Sequence, residues 1–219
     1  MRFGLDGFID PLQLAAMTQD LDKLVLSKAG AHLVKVQSVD DLGHSFELTG
    51  FHFGTHDLVI TAGHASQVPQ PDQPGQTRPA AQYKITSPEG KVEDATEVGR
   101  PNLNFDCMVL QRASTGSVLY SAVASPGDTV YVLGFPPGSL KPAVSKGMVS
   151  TRAASTFQVL AHAAHGWSGG LVVNFRSEVV GMVKGGTNEM VVRLNAVDLS
   201  AMNVVLGECT EGKTSFATR

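Results

Sequence analysis

From residue 31 onward one pattern recurs: a short run rich in Val, Leu and Phe, apolar throughout or alternating with polar residues, closed by Gly, Pro, Asn or Asp. The runs are 31–39, 45–53, 57–62, 81–87, 105–111, 129–134, 144–150, 156–162, 170–175, 178–184 and 189–194. A period of two with this punctuation is the spacing of an all-β protein. The tract 112–128 reads as a connector, so the runs fall into two sets of roughly six strands. Gln67–Ala80, with four prolines and four glutamines, reads as an exposed loop.

Helical spacing is confined to the two ends. After Asp10-Pro11, the residues Leu14, Met17, Leu21, Leu24 and Val25 recur at three- and four-residue intervals, which predicts a capped amphipathic helix ending near Gly30. Asp198 to Leu206 predicts a short closing helix with Asp198 as N-cap and Gly207 beyond its end. The expected organisation is a helical extension over 1–30, β-rich units over 31–118 and 119–207, and a flexible polar tail over 208–219.

Charge and cysteine content narrow the partners. Seventeen basic and 20 acidic residues give a formal charge of −3, and the scattered Lys and Arg form no phosphate-tracking stripe, so no nucleic-acid or anionic-membrane partner is expected. No run reaches transmembrane length, and the acidic opening segment lacks the features of a secretion signal. Two cysteines, Cys107 and Cys209, cannot build a disulfide framework, and they point to a reducing, intracellular (cytoplasmic) compartment.

Chemistry-bearing residues gather in three places. In Val59-Ile60-Thr61-Ala62-Gly63-His64 an apolar strand runs into small residues and then an imidazole, a setting that suits a general base. In Asn104-Phe105-Asp106-Cys107-Met108-Val109-Leu110 a carboxylate opens an apolar strand, where burial demands a partner for it. In His165-Gly166-Trp167-Ser168-Gly169-Gly170-Leu171 a serine lies among glycines, whose backbone freedom lets N–H groups converge on one point.

These three segments, in this order, resemble the chymotrypsin-like (trypsin-fold) serine peptidases: Thr61-Ala62-Gly63-His64 is similar to Thr-Ala-Ala-His, Asp106 with its apolar followers to Asp-x-x-x-Leu, and Gly166-Trp167-Ser168-Gly169-Gly170 to Gly-x-Ser-Gly-Gly. Gly127–Pro136, Lys146–Ser150 and Val179–Val183 look like the corresponding strands of HtrA/Deg-type proteases, and the likeness runs over about 31–206. Compact viral proteases of the sobemovirus kind share the serine loop, which keeps polyprotein processing in a host cytoplasm open. The resemblance implies two six-stranded antiparallel β-barrels. It also implies a serine endopeptidase with His64, Asp106 and Ser168 as catalytic residues, Gly166 and Ser168 N–H groups as the oxyanion hole, a polypeptide substrate and no cofactor.

The departures carry expectations too. Trp167 stands where digestive relatives have Asp and HtrA-type relatives usually Asn, so no zymogen-style ion pair is implied. Ala65 replaces the cysteine that follows the histidine in secreted relatives, and few residues remain after the protease-like region for a PDZ domain. His162, Ala163, Val183, Lys184 and Gly185 fall where the family lines its first specificity pocket. His162 and Lys184 as cations there would favour an acidic or amide side chain before the cut, whereas period-two patterning would turn Lys184 to solvent.

Other readings stay beside this one. The pairs His52/His56 and His162/His165 lack the Cys or carboxylate company of a zinc site, and no metal is expected. Gly207-Glu208-Cys209-Thr210-Glu211-Gly212-Lys213-Thr214 spells G-x-x-x-x-G-K-T, but five residues after it leave no room for the helix that a P-loop requires. The alternative function is a catalytically inactive protease-fold module that holds extended peptides along the Val183 strand by β-augmentation.

Overall fold

Two strands that are apolar at nearly every position organise the molecule, because each serves two cores at once. In the computed structural model, which describes residues 11–53, 57–112, 119–163, 165–186, 193–209 and 217–218, helix α1 (Pro11–Gly30) leads into β1 (Leu33–Val39), β2 (Ser45–Phe53) and β3 (Leu58–Ala62). A 3-10 turn (Gly63–Ser66) follows, then the small hairpin β4 (Gln67–Pro69) and β5 (Thr77–Pro79), and then β6 (Gln82–Thr86), β7 (Val92–Asn102) and β8 (Cys107–Gln111). The order β1-β2-β3-β8-β7-β6 closes a six-stranded antiparallel barrel. Along β3 and β8, Val59, Ala62, Met108 and Leu110 fill this barrel, while the alternate residues Leu58, Ile60, Cys107 and Val109 enter a second apolar cluster outside it. Strands covered on both faces lose polar alternation, which explains why these two read as continuous apolar runs.

The second half repeats the plan. After β9 (Tyr120–Ser121) come β10 (Thr129–Gly134), β11 (Ala143–Arg152), β12 (Thr156–Leu160), β13 (Leu171–Val173), β14 (Val179–Gly186) and β15 (Arg193–Asp198), then helix α2 (Leu199–Cys209) and β16 (Ala217–Thr218). The order β13-β10-β11-β12-β15-β14 closes through a β13–β14 pairing, and β9 and β16 add in parallel at the β14 edge. Val130, Val132, Phe157 and Val172 fill this barrel.

A seam cluster joins the halves, drawing Phe51, Ile60 and Val109 from one barrel and Tyr131, Leu133, Leu171 and Met182 from the other. Both helices feed it in crossed fashion. α1, first in the chain, packs on β10 and β11 of the second barrel, whereas α2, near its end, packs on β7 and β8 of the first as well as on β14 and β15. Among the described residues no helix is long and apolar enough to cross a membrane.

The structure thus has the expected double barrel with its two helices, and it differs from the sequence reading in particular elements. β7 was not anticipated, because only Ala95 of its eleven residues is buried and no apolar alternation marks it. The Gln67–Ala80 stretch, expected as loop, carries the β4–β5 hairpin. Of the apolar stripe read on α1, Met17 and Leu24 are exposed; the packed face is Leu21, Val25, Leu26 and Ala29. α2 runs through Gly207 to Cys209 rather than stopping before the glycine, because Cys209 packs onto the seam cluster and against Gly99. The first residues of the G-x-x-x-x-G-K-T segment are therefore helical. Residues 210–216 lie outside the described residues, as do 1–10 and His56.

Candidate active site

The antiparallel register of β3 and β8 sets Ala62 opposite Cys107. His64, two residues beyond one, and Asp106, one residue before the other, therefore meet at the same barrel end. Asp106 lies in the left-handed region with φ 54°, a conformation that costs an L-residue about 1–2 kcal/mol but is tolerated best by Asp and Asn. It turns the carboxylate back on the histidine. Oδ1 accepts the His64 backbone N–H at 2.7 Å, and His64 Nδ1 lies 3.0 Å from Oδ1 and 2.9 Å from Oδ2. Charge-assisted bonds of this kind contribute about 1.5–3 kcal/mol each, enough to hold the strained backbone. Gly63 permits the approach, since a Cβ there would stand 2.8 Å from the Cys107 nitrogen.

An acceptor at Nδ1 favours the tautomer with its proton there, in which Nε2 is the ring nitrogen able to take one. The imidazole is about one-third exposed, so that nitrogen has a route to solvent or ligand, and the Phe46 ring lies beside it at 6.0 Å between centroids. This is the constitution of an oriented general base.

The serine loop is held by its neighbours. Gly166 and Gly169 have φ of 88° and 81°, reserved in practice for glycine. Gly169 N–H donates to the Val183 carbonyl at 2.7 Å, Gly170 N–H to Trp167 O at 2.8 Å and Val183 N–H to Gly170 O at 2.8 Å. By contrast, the N–H groups of Gly166 and Ser168 donate to no acceptor among the described residues. Trp167, buried in the second barrel, lies over Gly134, where a Cβ would come within 3.0 Å of the indole Cγ. Apolar packing thus fills the place of an ion pair beside the serine.

The loop also abuts the first barrel. The Thr49 N–H donates to Ser168 O at 2.9 Å, and a Cβ on Gly169 would collide with the Thr49 carbonyl oxygen and lie 2.9 Å from the Ala62 nitrogen. Asp106 and His64 are in direct contact, while Ser168 is bound to β2 through Thr49 and its neighbour Gly169 lies against Ala62, the last residue of β3 before the His64 turn. The Ser168 hydroxyl makes no hydrogen bond to a described residue.

The other expected residues are more dispersed. His162 is exposed, with its N–H on Ser145 Oγ at 3.1 Å, and Ala163 packs against the second-barrel interior. Val183 is buried in the β14 pairing, with a bulge between it and Gly185. Lys184 Nζ reaches the Asn104 carbonyl at 3.4 Å. Sequence reading missed Phe46 and Thr49, whose relation to the site is entirely long-range. It also missed a cavity of about 190 Å³ beside Gly166, lined by Phe46, Leu48, Phe135 and Pro136 over the Lys35–Glu47 ion pair. Among the described residues no group of three His, Cys, Asp or Glu side chains could hold a metal ion.

Comparison with known proteins speaks to the fold and to the family. The structure is similar to the Rv3671c protease of M. tuberculosis in its active form, with a TM-score of 0.74, 19% identity, and coverage of 99% of this chain and 96% of that one. It is also similar to a serine-to-alanine variant of Rv3671c in an inactive form, with a TM-score of 0.70, 17% identity, and coverage of 95% and 97%. At these identities the likeness speaks for the fold. Among curated protein sequences nothing matches the chain. The model of the trypsin-like peptidase domain, however, matches residues 48–182, which take in the later part of β2, the His64 turn, the Asp106 strand and the serine loop. With that match spanning more than half of its length, the chain belongs to the trypsin-like peptidase family and is a serine-type peptidase.

Proposed function

We propose that the chain is an endopeptidase that cleaves polypeptides through an acyl-enzyme on Ser168. The Ser168 hydroxyl attacks the scissile carbonyl while His64 Nε2 takes its proton; the same nitrogen then protonates the leaving amine, and a water molecule repeats the sequence to release the acyl group. Asp106 fixes the imidazole tautomer, and the N–H groups of Gly166 and Ser168 receive the oxyanion. The observation that carries this reading is the Asp106 carboxylate bound at once to the His64 ring and to its backbone N–H. The serine–histidine proton transfer is the step that substrate must bring into line, since catalytic hydrogen bonds often tighten only when substrate binds.

Two narrower points belong to the same proposal. A preference for an acidic or amide side chain before the cut rests on His162 and Lys184; the Lys184 Nζ makes only a long, exposed 3.4 Å bond to Asn104 O, which leaves it further N–H donors. A reducing compartment fits two free cysteines, of which Cys107 is buried with its thiol pushed up by desolvation and by Cys209 and Asp106 nearby.

A fluorophosphonate probe tests the nucleophile: the parent should be labelled in a time-dependent way, and Ser168→Ala should not. Equal labelling of both would refute the assignment. Saturable peptide binding without turnover by the parent would instead establish the inactive peptide-holding module.

A further inference from the structure

Thr49 is fully buried in β2, and its hydrogen-bonding groups reach both barrels. Its N–H donates to Ser168 O at 2.9 Å, and its hydroxyl donates to Gly166 O at 2.7 Å. The same hydroxyl oxygen accepts the Phe135 N–H at 2.9 Å, and the Thr49 carbonyl accepts the Thr61 hydroxyl at 2.7 Å. One residue of the first barrel therefore ties down β3, the end of β10 and two carbonyls of the serine loop.

Those two carbonyls belong to particular peptide units. Gly166 O lies in the unit that follows the first oxyanion donor, and Ser168 O in the unit that follows the second. Because a peptide unit is planar, holding its oxygen fixes its orientation as well. Gly166, at φ 88° and without a side chain, has no steric reason of its own to keep its plane. The Thr49 hydroxyl supplies that constraint from across the seam. The trans-barrel contact also fixes how far the Ser168 side can stand from the β3 end that carries His64.

We propose that Thr49 is the positioning residue of the oxyanion loop: by holding Gly166 O, its buried hydroxyl anchors the Gly166 Cα from the following peptide unit and so limits the rotation about that Cα that would turn the Gly166 N–H away from the reacting carbonyl. The inference rests on the Ser168 mechanism above. Thr49 touches neither substrate nor the reacting atoms; its loss acts through a donor that has drifted out of line.

The test compares Thr49→Val, which keeps the shape and removes the hydroxyl, with Thr49→Ser, which keeps the hydroxyl. Hydrolysis of a fluorogenic peptide selected on the parent is measured per folded molecule, with thermal melting and the emission of Trp167, the one tryptophan of the sequence, reporting the fold. Thr49→Val should lower kcat about 10²–10³-fold, the loss typical of one oxyanion donor, with KM within about threefold of the parent, and Thr49→Ser should recover to within about tenfold. If Thr49→Val does not fold, Thr49→Cys takes its place: a thiol fills the site but donates weakly, and kcat should fall at least about tenfold. A folded hydroxyl-less variant with parental kcat, or an equal loss in the valine and serine variants, overturns the proposal. Labelling of Ser168→Ala would overturn the mechanism itself, so the two failures are distinct.

Discussion

Replacing Asp106 by Asn isolates what the carboxylate does to the imidazole. The left-handed backbone at this position accepts Asn as readily as Asp, so the substitution adds no conformational strain. Oδ1 receives two donors, the His64 N–H at 2.7 Å and Nδ1 at 3.0 Å, so the amide oxygen takes that place. The NH2 group then occupies the Oδ2 position, 2.9 Å from Nδ1, where it meets the ring nitrogen as a donor. The imidazole must respond by moving its proton to Nε2, which would remove the base proposed for Ser168. A tautomer error of this kind lowers kcat about 10⁴-fold in a triad, equivalent to about 5 kcal/mol of transition-state stabilisation. The assay is hydrolysis of fluorogenic casein beside fluorophosphonate labelling, with a melting curve to show that the barrel is intact. A folded Asp106→Asn protein that keeps kcat within tenfold of the parent would refute the reasoning, since the carboxylate would then not set the tautomer.

Two further outcomes follow from the geometry. Gly169→Ala sets a Cβ into the Thr49 carbonyl at a φ of 81°; a cost of roughly 3 kcal/mol or more should lower Tm by about 6–12 °C, and a parental melting curve would show that the loop can move away. His52 is buried with Nδ1 unpartnered, and its pKa is lowered to about 4 by desolvation and by Arg112 and His32, against the opposing pull of Glu93. Its folded-state pKa lies below the unfolded one, so the stability it contributes is full above about pH 6.5 and is lost as pH falls toward 4. Tm should decline across that window, and His52→Gln should flatten the decline; equal slopes in parent and variant would remove His52 as its source.

Much of this architecture is legible without coordinates because its signals are local. β3 and β8 declare themselves by apolar runs, and His64 and Asp106 stand at ends of those runs that an antiparallel pairing must bring together. The glycines around Ser168 mark a tight turn for the same local reason. β7 escaped because a strand with one buried residue in eleven has no hydrophobic period to show. The end of α2 was misplaced because a glycine signals a stop, while the packing of Cys209 onto distant Gly99 carries the helix through it. Thr49 escaped for a related reason: its hydroxyl meets Gly166, 117 positions away, and a lone threonine before Gly50 carries no trace of such a partner.

The crossed placement of the terminal helices has a mechanical consequence. Each half of the polypeptide wears a lid supplied by the other: Val25 and Ala29 of α1 shield Tyr131 and Leu133, while Met202 and Val205 of α2 lie in the same apolar layer as Cys107 and Val109. Either half made alone would leave a broad greasy surface bare, so the protein should melt in a single step rather than as two independent modules. A nick in the connector would not free the halves, because each terminal helix would still be packed across the seam.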